Sequence, residues 1–303
     1  MASRSVGRIP ILKPRPFDTL KILTLGGGQD IGRSCVIVIM GGRTIMFDCG
    51  MHMGYNDARR FPDVSQLGFE PGGDLTSLID CIVITHFHLD HCGALPHFTE
   101  VLGYTGPIYM TAPTKAIASI NLKDYADVMA KRRHESCYDH AAVDACLRRV
   151  TLVALGETII VDAQLELTTY YAGHVLGAVM VGASCRGQRV VYTGDFNTTA
   201  DRHLGAARIG RLRPHVLLTE STYAASIRES KRCRETDFLQ LVHAAVAGTH
   251  AASRACLSAA GPACSPSPAC SPSCGAAGGR VLIPSMSIGR YAISLDLGLP
   301  ILL

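Results

Sequence analysis

The sequence predicts an α/β fold in which two β-sheets pack face to face with helices outside. Three observations predict it. Residues 80–85 (DCIVIT) are a continuous apolar run, the mark of a strand buried on both faces. Two pairs of apolar runs read as hairpins: 35–40 with 44–48 around Gly41-Gly42, and 178–183 with 188–193 around Arg186-Gly187. Between strand-like runs the period changes to a helical one, with Leu122, Tyr125, Val128 and Met129 spaced along 114–133.

The remaining elements follow in order. A first strand over 21–25 ends in Gly26-Gly27-Gly28, and 107–111 is a further short strand. Strands are expected at 158–162, 165–171 and 216–219, and an amphipathic helix over 234–247. Residues 249–279 differ in kind. They are rich in Ala, Ser, Pro, Gly and Cys, carry no acidic residue, and read as a low-complexity insertion. Cys256, Cys264, Cys270 and Cys274 lie there without a CxxC pair, so a metal knuckle is not expected.

Composition bounds the function. The chain has 303 residues, 48% hydrophobic and 18% charged, which is enough to bury a sizeable core. Net charge is +4, compatible with a polyanionic substrate without arguing for one. No apolar run suits a secretory signal or a membrane span, so no membrane partner is expected. Eight of the twelve cysteines are scattered singly at apolar positions and read as reduced, mostly buried thiols of an intracellular protein.

The chemistry sits in 86–91, HFHLDH, directly after the buried run. His86 and His88 alternate, so in an extended chain both imidazoles can reach one point. Asp90 and His91 follow in the turn and can reach a second point. Imidazole nitrogens and carboxylate oxygens are ligands that zinc accepts. His174 (AGHVLGA) and Asp195 (VVYTGDF) each fall where a strand ends beside a glycine. Singly, the first would be an ordinary histidine and the second a turn residue. Together they are candidates to converge on the same point. Asp48 (MFDCG) ends a strand in the same way and suits an acceptor that orients a ligating histidine.

Asp48, HFHLDH, His174 and Asp195, in that order, resemble the metallo-β-lactamase superfamily. The resemblance implies an αββα sandwich. It implies two Zn2+ ions, one held by His86, His88 and His174, one by Asp90 and His91, with Asp195 bridging. Glu220-Ser221-Thr222-Tyr223 resembles the first motif of the β-CASP nucleases of that superfamily, in which the acidic residue supports the active site through a hydrogen bond. By this resemblance Asp90, Asp195 and Glu220 are the catalytic carboxylates. The segment 280–291 (RVLIPSMSIGRY) is similar to a further strand and helix start of the group, with Met286 where Phe is usual.

The longer runs 49–63, 85–101, 170–181, 192–207 and 220–239 are similar to the Integrator branch of these nucleases. They fit the cleavage-and-polyadenylation branch less well around 49–63 and 221–234. What this implies is a nuclear endonuclease cutting single-stranded nascent RNA, including small nuclear RNA precursors, to leave a 3′-hydroxyl and a 5′-phosphate. Its partners would be a sister subunit of the same fold and other Integrator subunits. The alternatives are a pre-mRNA 3′-end endonuclease and an inactive fragment.

Departures from the pattern shape the expected domains. An extension covers 1–20, the metallo-β-lactamase domain 21–218, and a partial β-CASP region 219–303. The family places two further histidines far downstream, a general acid and the last ligand of the second zinc. His203, His215, His243 and His250 stand in no such context. The chain therefore reads as a carboxy-terminally truncated form with an incomplete second zinc site.

Overall fold

A computed structural model describes residues 19–131, 137–208, 210–227 and 229–246. The extension before residue 19, the insertion at 249–279 and the segment 280–291 lie outside the described residues. The chain divides into two compact units, Met1–Glu220 and Ser221–Leu303.

The first unit contains two sheets. One has six strands in sequential order: β1 (Lys21–Gly26), β2 (Cys35–Met40), β3 (Arg43–Phe47), β4 (Cys81–Val83), β5 (Ile108–Thr111) and β6 (Val150–Val153). β1 to β3 are antiparallel, and β3 to β6 run parallel through helical crossovers. The second sheet has the order β11-β10-β9-β8-β7, from β7 (Thr158–Ile160), β8 (Leu165–Tyr171), β9 (Val179–Cys185), β10 (Gln188–Tyr192) and β11 (Val216–Leu218). It is antiparallel except for the β10–β11 pair.

Alternation along the strands decides which side packs where. Val38, Ile45, Phe47, Cys81 and Val83 of the first sheet meet Leu165, Leu167, Val179, Val181, Val190 and Tyr192 of the second in one buried cluster. The opposite face of the first sheet, through Ile37, Met46, Ile82, Ile108 and Met110, packs on helices. These are α1 (Leu89–Cys92), α2 (Leu95–Glu100), α3 (Ala112–Lys131) and α4 (His140–Arg148). Burial of β4 on both faces explains its unbroken apolar run. The two-sheet sandwich read from the sequence is therefore the fold.

Element ends shift by a few residues. α3 begins two residues before the expected 114. α4 and β6 are additions to the sequence reading; α4 is capped by Asp139, whose Oδ1 accepts from Ala142 N at 2.8 Å. In the second unit α5 (Lys231–Val246) starts three residues earlier than expected, and only Val242 on it is buried. Six of the eight described cysteines are buried, Cys137 is half-buried and Cys233 exposed; all are free thiols. Among the described residues no helix is long and apolar enough to cross a membrane.

Candidate metal centre

The centre forms where strands of both sheets end. The chain leaves the ladder after Val83, bends at Phe87, is extended at His88 (φ −65°, ψ 143°), and turns into α1. Across that bend the rings of His86 and His88 still meet, with centroids 4.7 Å apart. The α1 turn then presents Asp90 and His91, with His91 N and Cys92 N both donating to His88 O at 2.9 Å. His174 lies in the loop between β8 and β9, and Asp195 just past β10.

The predicted residues do come together. His88 Nδ1 lies 3.0 Å from His86 Nε2 and 3.2 Å from His174 Nε2. Asp195 Oδ2 lies 3.6 Å from His174 Nε2 and 3.8 Å from His86 Nε2. Ligand-type atoms of these four residues all fall within 4.8 Å of one another. Four ligands at about 2.0–2.1 Å around a tetrahedral zinc would stand about 3.3 Å apart, so the spacing fits such an ion.

Proton placement supports the same conclusion. Thr85 Oγ1 donates its single hydrogen to Asp48 Oδ2 at 2.9 Å. His86 Nδ1, 3.0 Å from that hydroxyl oxygen, must therefore be the donor there. This leaves His86 Nε2 as a bare lone pair facing the cluster. His88 Nδ1 can then satisfy only one of its two close imidazole neighbours by a hydrogen bond. A cation accepts lone pairs from all three rings at once. Burial, with neighbouring imidazoles adding to it, holds His86 well below the usual histidine range. Burial also lowers His174 to about 4, although Asp195 opposes it. Both rings are thus neutral at physiological pH, the form that binds metal.

Asp90, His91 and Asp195 form a second group. His91 Nε2 lies 3.3 Å from Asp195 Oδ1 and 3.6 Å from Asp90 Oδ2. Its electrostatics are opposite. Burial pushes the His91 ring down, but Asp48 and Asp195 together outweigh this and hold it well above the usual range. Burial would raise the Asp195 carboxyl, yet the His91 hydrogen bond and the surrounding imidazoles keep it low.

Asp48 lies fully buried beneath both groups. It accepts from Thr85 N (2.8 Å), Thr85 Oγ1 (2.9 Å), His91 Nδ1 (2.8 Å) and Tyr192 Oη (3.0 Å). It orients His91 directly and His86 through Thr85. Two glycines permit this closeness. A Cβ on Gly50 would sit 1.6 Å from Asp90 O, and one on Gly194 would sit 2.7 Å from Thr85 Oγ1. Glu220 Oε1 accepts from Phe196 N at 2.9 Å, fixing the turn that carries Asp195.

Sequence reasoning missed Thr85 and Tyr192. Their only signals are the positions immediately before His86 and at the end of β10, and a threonine or tyrosine there reads as strand filler.

Comparisons with known proteins give the family. The family model described as the Metallo-beta-lactamase superfamily matches residues 28–234. The chain is 50% identical over 273 residues to an Integrator complex subunit 11 homolog of Dictyostelium discoideum, covering 90% of this chain and 32% of that protein. It is 54% identical over 228 residues to Integrator complex subunit 11 of Gallus gallus, covering 75% of this chain and 38% of that protein. It is 49% identical over 269 residues to cleavage and polyadenylation specificity factor subunit 3-II of Arabidopsis thaliana, covering 88% and 39%. The chain thus spans about a third of the length of these relatives. The family match runs across every residue of the centre, from Asp48 to Glu220, and the chain belongs to the metallo-β-lactamase superfamily.

Proposed function

We propose that this chain is the hydrolytic core of a zinc-dependent endonuclease that cuts phosphodiester bonds of single-stranded nascent RNA in an Integrator-type nuclear assembly. The observation that carries the reading is the convergence of His86, His88, His174 and Asp195 within 4.8 Å, in a chain half-identical to Integrator subunit 11 proteins. Residues 21–218 would form the catalytic domain, and 219–303 the start of a second one.

His86, His88 and His174 would hold one zinc, Asp90 and His91 a second, with Asp195 shared. Bound zinc supplies acidification of a water and charge neutralisation at the phosphoryl oxygens. The chain's own residues do the rest. Asp48 holds the protons on His91 Nδ1 and, through Thr85, on His86 Nδ1, so both Nε2 atoms face the cluster of ligand-type side chains. Asp90 and Asp195, 31% and 26% exposed at their side chains, would orient the attacking water. Glu220 keeps the Asp195 turn in place. Partners would be a sister subunit of the same fold and further Integrator subunits.

The test is zinc stoichiometry of the full chain together with cleavage of a single-stranded RNA by wild type and His88→Ala. Two zincs per chain and cutting that is lost in His88→Ala are expected. One zinc without cutting would favour an incomplete centre, and no zinc at all would overturn the metal assignment.

A further inference from the structure

His174 is the one imidazole of the centre that comes from the second sheet, and it sits in a strained turn. Its φ is +48°, in the left-handed region that a residue with a side chain rarely adopts, between Gly173 (φ +68°) and Gly177 (φ +82°). A single turn of this kind needs an outside restraint to stay put. The far side of the loop supplies one. The carbonyl of Gly177 lies 2.7 Å from Thr111 Oγ1 and 3.1 Å from Thr114 Oγ1, and the two hydroxyls are 2.9 Å apart. Both threonines are buried. They stand at the junction of β5 and α3, on the first sheet, which also provides His86 and His88. Gly177 itself is packed against them: a Cβ there would fall 2.8 Å from Thr111 Oγ1 and 2.9 Å from Thr114 N.

We propose that Thr111 and Thr114 are positioning residues for His174: their hydroxyls clamp the Gly177 carbonyl and so hold the His174 ring in register with His86 and His88 across the two sheets. The inference rests on the metal assignment above. Thr111 has a second duty, because its Oγ1 accepts from Thr114 N at 3.3 Å at the start of α3. Thr114 is therefore the cleaner position to alter, since its hydroxyl can be removed without removing that cap.

The experiment compares full-length wild type, Thr114→Val and Thr114→Ser. Zinc affinity is read by competition with a chromophoric chelator, and amide hydrogen exchange is read in the metal-free chain. Thr114→Val is expected to weaken the tighter zinc about 10- to 100-fold, the scale for loss of a ligand-orienting partner. It should speed exchange across 172–178 while leaving β8 and β9 protected. Thr114→Ser should restore both. Wild-type affinity in Thr114→Val, or a serine variant as weak as the valine one, would overturn the proposal. If Thr114→Val does not fold, Thr111→Val against Thr111→Ser is read for zinc affinity and 172–178 exchange, with exchange at the start of α3 reporting the lost cap separately. A wild-type chain that binds no zinc would sink the metal assignment, whereas the exchange of 172–178 would still decide whether the clamp exists.

Discussion

The two halves of the centre are built from different materials. His86, His88 and His174 are drawn from both sheets, and their geometry exists only once the sandwich has closed. Asp90 and His91 come from one turn of α1, a local feature to which Asp195 and Asp48 are added from elsewhere. Their charge states differ as well. Burial keeps His86 and His174 neutral, whereas carboxylates on either side keep His91 protonated in the metal-free chain. The first half is thus ready for a cation but depends on tertiary packing. The second is locally assembled but must give up a proton. Asp48 is the part they share, one buried carboxylate serving His91 directly and His86 through Thr85.

Breaking that shared part should have the largest effect. Asp48→Ala leaves Thr85, His91 and Tyr192 donors without their acceptor inside the core. The expected loss is about 3–5 kcal/mol of stability, the scale for stripping one partner from a buried charged network. Urea unfolding of the metal-free chain measures it. A change below about 1 kcal/mol would mean the donors find other acceptors, and that Asp48 anchors neither half.

Removing ligands one half at a time sharpens the comparison. If four ligands share a zinc-binding free energy of about 10–16 kcal/mol, one imidazole is worth about 3 kcal/mol, or 10²- to 10³-fold in affinity. His86→Ala should weaken the tighter zinc by that factor. His91→Ala should leave the tighter zinc within a few-fold of wild type and remove the weaker one. Chelator competition on both variants is the check. Equal losses at both sites in both variants would show that the halves are not separable.

The sequence shows the fold more clearly than the connections between its parts. β8 was legible residue for residue, because buried Leu165, Leu167 and Thr169 alternate with exposed Glu166 and half-buried Thr168 and Tyr170. β4 ends two residues before its apolar run does, because Ile84 and Thr85 are buried without belonging to the ladder. Strand ends beside glycines made His174 and Asp195 candidates for the same point as His86 and His88, and the resemblance to the superfamily implied the ligand set. Thr85 gave no such sign, since its hydroxyl acquires meaning only from Asp48, 37 residues earlier. Thr111 and Gly177 are 66 residues apart and meet only across the two sheets. Period and composition report local burial; they carry no record of which distant carbonyl a buried hydroxyl will meet.

The proton on His91 yields the smallest effect and the most direct probe of the difference between the halves. A zinc entering the second half must displace that proton. Below the raised folded-state pKa of His91, affinity there should fall about tenfold, or ~1.4 kcal/mol, for each unit that pH drops. His86 and His174 hold no proton to displace near neutrality, so the first half should bind with little change between pH 6 and pH 8. The sign follows from the direction of each shift: a ring held high competes with the metal on the acid side, and a ring held low does not. Zinc affinities at pH 6, 7 and 8, with the protons released counted from buffers of different ionisation enthalpy, measure both halves at once. Filling the first half adds a dication beside His91, which should lower its pKa and flatten the dependence. The steepest response is therefore expected in His86→Ala at zinc concentrations too low to fill the weakened first half. A weaker site with the same affinity at pH 6 and pH 8 in that variant would mean that Asp48 and Asp195 do not hold the proton on His91, and the electrostatic contrast between the halves would fall with it.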